Sequence, residues 1–349
     1  MSYKYGFNCL KASVVVLLLL FFQPLLAQQK FADLTQLLEK NKGSFGKDYA
    51  VVIANADSIV YQKEVGDMKV KTVAPIASAS KWLTAVCVLQ LVDEGKLSLD
   101  DKVAKYLPVF EKYGKNYITI RHCLAHLTGI KSAGNIVEEL RERRKYSTLD
   151  EEINAFAAHE IKTNPGTAFA YSDIGLNIAG RVLEVVSKKR FDILIKQKLF
   201  TPLGMRQTTF TTLDGTPPNP SGGARSTALD YMAFLKMLLN EGTYNGKQIL
   251  SAASIAELRK IETANLPMNE VPKAATGYQY ALGAWALESN GGTATVLASP
   301  GLFGTWPAVD FCRHEAFLFF SKELWGEQKR GIYEDLKKVT DSNFPNACK

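Results

Sequence analysis

The stretch Pro75-Ile-Ala-Ser-Ala-Ser-Lys-Trp-Leu-Thr-Ala-Val-Cys87 frames the rest of the chain. Within it Ser78 and Lys81 are three residues apart, where Trp82, Leu83, Val86, Leu89 and Leu91 begin an apolar pattern of helical period. The pair is therefore expected to open a helix and to lie on one face of it, with the Lys81 amine in reach of the Ser78 hydroxyl. That is the geometry of an activated nucleophile. A serine hydroxyl attacks poorly until a neighbouring base takes its proton. A lysine at its reference pKa of about 10.4 is protonated at neutral pH, and holding it neutral costs roughly 4 to 5 kcal/mol. Burial or a nearby cation must supply that, so the pair functions only if the chain brings further groups to it. Unpaired N–H groups at the helix start also suit a developing oxyanion.

Spacing alone is weak, since such a pattern arises about once or twice by chance in a chain this long. Ser44-Phe-Gly-Lys47 also matches, but Gly43 and Gly46 around it predict a loop with no helix to align the side chains.

Working outward, 349 residues at 46% hydrophobic and 22% charged describe a globular chain with one large domain or two. The formal charge of +7 is modest, and no Lys/Arg run with interleaved aromatics points to nucleic acid. The densest basic cluster, Arg141-Glu-Arg-Arg-Lys145, is expected to be a solvated helix face. Lys4 and Lys11 precede the apolar run Val14 to Phe22, then Gln23, Pro24 and Ala27. Residues 1–27 are thus expected to be an export signal cleaved after Ala27, leaving no stable membrane span and a periplasmic or secreted protein. Cys87 and Cys123 fall at apolar helix positions and are expected to be buried thiols. Cys312 and Cys348 could tie the C-terminus to a strand. No CxxC pair or Cys/His cluster suggests zinc. His122 and His126, four apart and expected on one helix face, lack the Glu of a zinc-binding HExxH, position 123 being Cys, and are expected to pack or cap; no metal or cofactor is expected.

Residues 31–41 read as an amphipathic helix, and Ala50-Val-Val-Ile-Ala54 and Ser58-Ile-Val-Tyr61 as strands joined at Asn55-Ala-Asp57. From Leu99 to about Leu239 the pattern is mainly helical, with a capped start at Ser147-Thr-Leu-Asp-Glu-Glu152 and a turn at Asn164-Pro165-Gly166. Tyr278 to Leu287, Thr293 to Ala298, Thr305 to Phe311 and Ala316 to Phe320 read as strands, followed by a helix from about Ile332 to Val339. Strands at both ends around a helical middle predict an α/β (α+β) fold: one antiparallel sheet built from both termini, flanked by helices, with a mainly helical region inserted. The expected division is a sheet subdomain, 28–98 with 275–349, and a helical subdomain, 99–274, within one domain of residues 28–349.

Four segments then arrive in order: Ser78-Ala-Ser-Lys81-Trp-Leu-Thr-Ala, Ile118-Thr-Ile-Arg-His-Cys-Leu-Ala-His-Leu-Thr-Gly-Ile130, Phe169-Ala-Tyr171-Ser-Asp173-Ile-Gly and Gly222-Gly-Ala-Arg-Ser-Thr-Ala-Leu-Asp230. Together they resemble the class C β-lactamase and DD-peptidase-like serine hydrolases, a family that also holds esterases and D-amino-acid amidases. The likeness runs from about residue 31 to the end. It implies the β-lactamase/transpeptidase-like fold, Ser78 as nucleophile, and Tyr171 opposite it sharing proton transfer with Lys81.

Two departures from the family pattern stand out. Asp173 occupies the place of an asparagine, and a carboxylate can only accept where an amide donates; beside Lys81 it would favour the ammonium, leaving Tyr171 as proton acceptor. The third motif, Lys-Thr-Gly or His-x-Gly in the family, is matched best by Ser299-Pro300-Gly301. Leu302 would then supply the second oxyanion N–H beside that of Ser78, with Gly301 allowing close approach. The motif's cation is gone, so a substrate carboxylate would be held roughly ten- to a hundredfold more weakly unless a base such as Arg225 replaces it. The expectation is an exported serine hydrolase acting through a Ser78 acyl-enzyme on a small ester, amide or peptide, with Asp173, Ser299, Gly301 and Leu302 lining the site. The alternatives are a degenerate binding or scaffold protein and a true β-lactamase or D-Ala-D-Ala carboxypeptidase.

Overall fold

A computed structural model of the chain describes residues 31–132, 136–212, 214–324 and 326–348. The expected export segment and its cleavage point lie outside the described residues. Among those described, no helix is long and apolar enough to cross a membrane.

The run at residues 50–54 is apolar without alternation, which in a strand means burial on both faces. It forms β1 (Tyr49–Asn55), every residue to Ala54 buried. The Asn55 side chain then accepts from the N–H groups of Asp57 and Ser58, closing the turn into β2 (Ile59–Val65). The other strands come from the far end of the chain: β3 (Gln279–Tyr280), β4 (Trp285–Asn290), β5 (Thr293–Ala298), β6 (Trp306–Asp310) and β7 (Glu315–Ser321). Their order is β2-β1-β7-β6-β5-β4-β3, antiparallel throughout, with Val51 opposite Phe319 where the two ends of the chain meet. The single strand expected over Tyr278 to Leu287 is broken in two. Gly283 adopts φ +74° there, and a Cβ on it would stand 2.7 Å from Ala85 Cβ, so the sheet edge bends around the nucleophile helix.

The helices that bear on the site are α1 (Ala32–Lys40), α2 (Ser80–Asp93), α3 (Ile120–Leu124), α4 (Ile136–Arg143), α5 (Leu149–Ala158), α6 (Ile174–Ser187), α7 (Ala228–Leu239) and α8 (Arg330–Asp341). Alternation along the strands divides the core in two. Tyr49, Val51, Ile53, Phe317 and Phe319 pack with Phe31, Leu34, Tyr333 and Leu336 under α1 and α8. Ala50, Val52, Leu318 and Phe320 pack with Trp82, Leu83, Val86 and Phe234 of α2 and α7. Full burial of each such side chain contributes roughly 1.5 to 3 kcal/mol. Helix α2 is buried from Ser80 to Leu91, so its apolar surface is continuous rather than a stripe. The helix that carries Lys81 is thus enclosed by the core.

A disulfide joins Cys312, just after β6, to Cys348. Cys87 and Cys123 are buried free thiols; burial pushes Cys87 up to about 12 and raises Cys123 further, so neither offers a thiolate. Two expectations need correction. His126 does not share a helix face with His122, because α3 ends at Leu124 and His126 has φ +58°. The cluster at 141–145 is not wholly solvated: Arg143 is 8% exposed and points inward.

Candidate active site

Ser78 stands two residues ahead of α2, in a 3₁₀ turn spanning Ala77–Ala79, rather than in the helix itself. Ala77 before it has φ +45°, a strained value for a residue with a Cβ. The surroundings hold the turn. The Ser299 hydroxyl donates to the Ser78 carbonyl (3.2 Å), Tyr231 Oη donates to the Ala79 carbonyl (2.8 Å), and the Ala224 N–H donates to Ser80 Oγ (3.0 Å).

Lys81 is 1% exposed. Its Nζ donates to Ser78 Oγ (3.3 Å), to Asp173 Oδ1 (2.9 Å) and to the Ser221 carbonyl (3.3 Å), three acceptors suited to an ammonium. Asp173 is the N-cap of α6 and one-fifth exposed, at 21% of its side chain. Burial pushes its pKa up, but the Lys81 charge and a 2.7 Å bond from Ser221 Oγ outweigh that and hold it well below the usual carboxylate range. The carboxylate is therefore ionised beside its ammonium at neutral pH.

Behind this pair runs a buried polar chain. The Ser221 N–H donates to Asn177 Oδ1 (3.0 Å), and Asn177 Nδ2 donates to Glu152 Oε1 (3.2 Å). Arg143 Nη1 donates to both oxygens of Glu152 (2.6 and 2.7 Å), while its Nη2 donates to the carbonyls of Pro217 and Pro218. Burial pushes Glu152 up to about 7 against the Arg143 charge. A cavity of about 40 Å³ lies beside this chain, lined by Glu142, Arg143, Tyr146, Glu152, Phe156, Asp173 and Ile174.

Tyr171 is brought to Lys81 by its ring, the ammonium lying 4.8 Å from the centroid. Trp285 stacks on the same ring at 5.4 Å, and His126 stands 4.5 Å away. His126 Nδ1 accepts from the Ser172 N–H (3.4 Å), which puts its proton on Nε2, facing Tyr280 Oη at 3.1 Å. Burial, and then the Lys81 charge, push His126 well below the ordinary imidazole value, so it is a neutral packing group. His122 caps: its Nδ1 accepts from the Thr119 N–H, completing a capping box. The Tyr171 hydroxyl makes no hydrogen bond with a described residue, Ser78 included.

The strand side of the cleft meets the nucleophile turn at Ser299-Pro300-Gly301. A Cβ on Gly301 would fall 2.2 Å from the Ile76 carbonyl oxygen, so only glycine permits this approach. Ser299 is buried, and its one hydroxyl proton is directed at backbone: the Ser78 carbonyl at 3.2 Å, with that of Gly283 at 3.5 Å. Leu302 follows Gly301 and begins the turn closed by the Gly304 N–H on the Gly301 carbonyl. Neither its N–H nor that of Ser78 is hydrogen-bonded to a described group. Arg225 is exposed beside Pro75, with no side-chain hydrogen bond or ion pair to a described residue.

Four participants escaped the sequence reading. Ser221 immediately precedes the quoted Gly222-Gly segment, and Asn177 is four residues after Asp173 on α6, a spacing that could have drawn attention. The pairing of Arg143 with Glu152 crosses a turn between α4 and α5, and no periodicity reports it.

A family model described as Beta-lactamase matches residues 46–332. Penicillin-binding protein 4 of Amycolatopsis lactamdurans is 30% identical over 239 residues, 60% of this chain and 62% of its own length. Protein flp of Staphylococcus aureus is 34% identical over 151 residues, 41% of this chain and 30% of its own. The chain therefore spans less than two thirds of these relatives' length. Among solved structures, a Bacteroides dorei protein classed with the β-lactamases superposes with a TM-score of 0.78 at 26% identity, covering 89% of this chain and 99% of that one. EstCE1, described as a hydrolase with promiscuous acyltransferase activity, gives 0.74 at 19% identity over 90% and 100% of the two chains, a likeness of fold.

Proposed function

Because the chain belongs to the β-lactamase family of hydrolases, we propose that it is a serine hydrolase that forms an acyl-enzyme on Ser78. The observation that carries this reading is the buried Lys81 amine 3.3 Å from Ser78 Oγ, with Asp173 ionised against it. In the proposed cycle Ser78 Oγ attacks the substrate carbonyl and its proton passes to Tyr171 as the proposed acceptor. The free N–H groups of Ser78 and Leu302 receive the oxyanion. Collapse expels the leaving group, which takes the proton from Tyr171; water then enters, gives up a proton to Tyr171, and releases the acid as Ser78 is reprotonated. Lys81 remains an ammonium and supplies charge rather than a proton.

The substrate is proposed to be a small ester or uncharged amide. Ser299 stands where a cation would grip a leaving-group carboxylate, and its proton faces backbone, so carboxylate-bearing substrates lose that contact. Export is proposed as well; the Cys312–Cys348 disulfide supports an oxidising compartment. The division into a sheet subdomain and an inserted helical one is kept as a proposal. So is a second reading, a binding or scaffold role without turnover, favoured by the Asp173 carboxylate holding Lys81.

Turnover of p-nitrophenyl acetate measured beside nitrocefin tests the reading. Wild type is expected to hydrolyse the acetate at least about tenfold faster than nitrocefin, with the activity abolished in Ser78→Ala. Equal acetate turnover in the two proteins would refute a Ser78 enzyme. A preference for nitrocefin would move the substrate class to β-lactams.

A further inference from the structure

We infer that Ser221 is a positioning residue for the Lys81–Asp173 pair, held in place by the buried Arg143–Glu152–Asn177 chain. The inference rests on the reading of Ser78 as an acyl-enzyme nucleophile. Ser221 is 0% exposed, so it touches no substrate, yet all its polar groups are hydrogen-bonded, two of them to this pair. Its Oγ donates to Asp173 Oδ1 (2.7 Å), and its carbonyl accepts from Lys81 Nζ (3.3 Å). Its N–H is shared between Asn177 Oδ1 and Asn219 Oδ1, both at 3.0 Å.

The three residues form a closed ring, and the distances show what it does. Lys81 Nζ is nearer Asp173 Oδ1, at 2.9 Å, than Ser78 Oγ, at 3.3 Å. A carboxylate oxygen facing only an ammonium would draw it further from the nucleophile. The Ser221 hydroxyl places a second donor on that same oxygen, and the Ser221 carbonyl pulls the amine from another side. Both effects keep Nζ on Ser78. A side chain at 221 with no hydroxyl would leave Asp173 Oδ1 to the ammonium alone.

The position of residue 221 is itself fixed from behind. Arg143 grips Pro217 and Pro218, Thr84 Oγ1 donates to the Pro220 carbonyl at 2.6 Å, and Asn177 takes the Ser221 N–H. The ion pair far from the nucleophile thus bears on the segment that sets Lys81. Asp173 and the Ser221 hydroxyl act as one unit, which makes their substitution effects non-additive.

The test is steady-state kinetics on p-nitrophenyl acetate together with the rate of fluorophosphonate labelling at Ser78, for wild type, Ser221→Ala, Ser221→Thr, Asp173→Asn and the double variant Ser221→Ala/Asp173→Asn. Ser221→Ala is expected to lower kcat and the labelling rate about tenfold, the scale of one charge-assisted hydrogen bond, with KM within about twofold. Ser221→Thr restores the hydroxyl and most of the rate. In the Asp173→Asn background the alanine change should matter by less than about twofold. Ser221→Cys, which keeps the volume and weakens the donor, serves the same purpose if the alanine variant does not fold. Wild type that fails to label at Ser78 removes the underlying reading. Wild type that labels, with Ser221→Ala labelling equally fast or with additive effects in the double variant, overturns the inference alone.

Discussion

Lys81 and Lys337 are both buried lysines in ion pairs, and they are put to opposite ends. Lys337, on α8, donates to Asp341 (2.6 Å), Asp310 (3.1 Å) and Glu315 (3.5 Å), three carboxyl groups around one ammonium, with Arg313 also 2.8 Å from Asp310. Burial works against its charge, but Asp341, Glu315 and Asp310 together outweigh it and raise its pKa. Lys81 has one carboxylate, one carbonyl and one hydroxyl. Burial is common to both; the difference is that one of the acceptors of Lys81 is an uncharged oxygen facing a cleft. A lysine enclosed by carboxylates fastens α8 to the sheet, whereas one shared with a serine can influence what that serine does.

The sharpest way to break this contrast is the same substitution at both sites. Lys81→Met is expected to lower kcat for p-nitrophenyl acetate by about a thousandfold, the scale of removing a preorganised charge, while the protein remains folded by circular dichroism. Lys337→Met leaves the buried Asp310 and Asp341 with Arg313 as their remaining cation and is expected to destabilise by about 3 kcal/mol in denaturant titration, with activity per folded molecule unchanged. If Lys337→Met lost activity while keeping its stability, the contrast would fail.

A smaller effect is expected from Gly301→Ala. The new methyl would meet the Ile76 carbonyl, so the strand must withdraw from the nucleophile turn, separating Leu302 from Ser78. A fall in kcat of about a hundredfold with modest change in melting temperature is the expected outcome.

The last effect is a pH dependence of stability to which Glu315 and Glu152, both raised by burial, contribute. Burial, then the hydrogen bond with Asp341, pushes Glu315 up to about 9 from an ordinary 4.5. The folded protein thus binds this proton more tightly than the unfolded chain. The stability it contributes is complete below about pH 4.5 and is lost as pH rises through about 9. The melting temperature should decline across that window, and Glu315→Gln should flatten the slope without altering the pH profile of hydrolysis. An unchanged slope would remove Glu315 from the account.

Much of the fold was legible because it is written in local pattern. The unbroken apolar run of β1, the Asn55 turn and the β-branched and aromatic strands after Gly277 each declare themselves within a few residues, and a sheet closed by both ends follows from where they fall. The one misread strand was broken by Gly283, whose positive φ serves a helix almost two hundred residues earlier. At the candidate site, sequence named Ser78, Lys81, Tyr171 and Asp173, and the fold brings them to one corner. Ser221, Arg143 and Glu152 were not legible, because their partners are chosen by packing across the chain. Lys81 meets Ser221 across 140 residues, and no spacing rule reports such a meeting. The direction of the Ser299 hydroxyl was hidden for the same reason.

Intact-mass and peptide mapping after fluorophosphonate treatment tests the central claim most directly. The account predicts a single covalent adduct on Ser78 in the wild-type protein, absent from Ser78→Ala. An unmodified Ser78, or an adduct that survives the Ser78→Ala substitution, would contradict it.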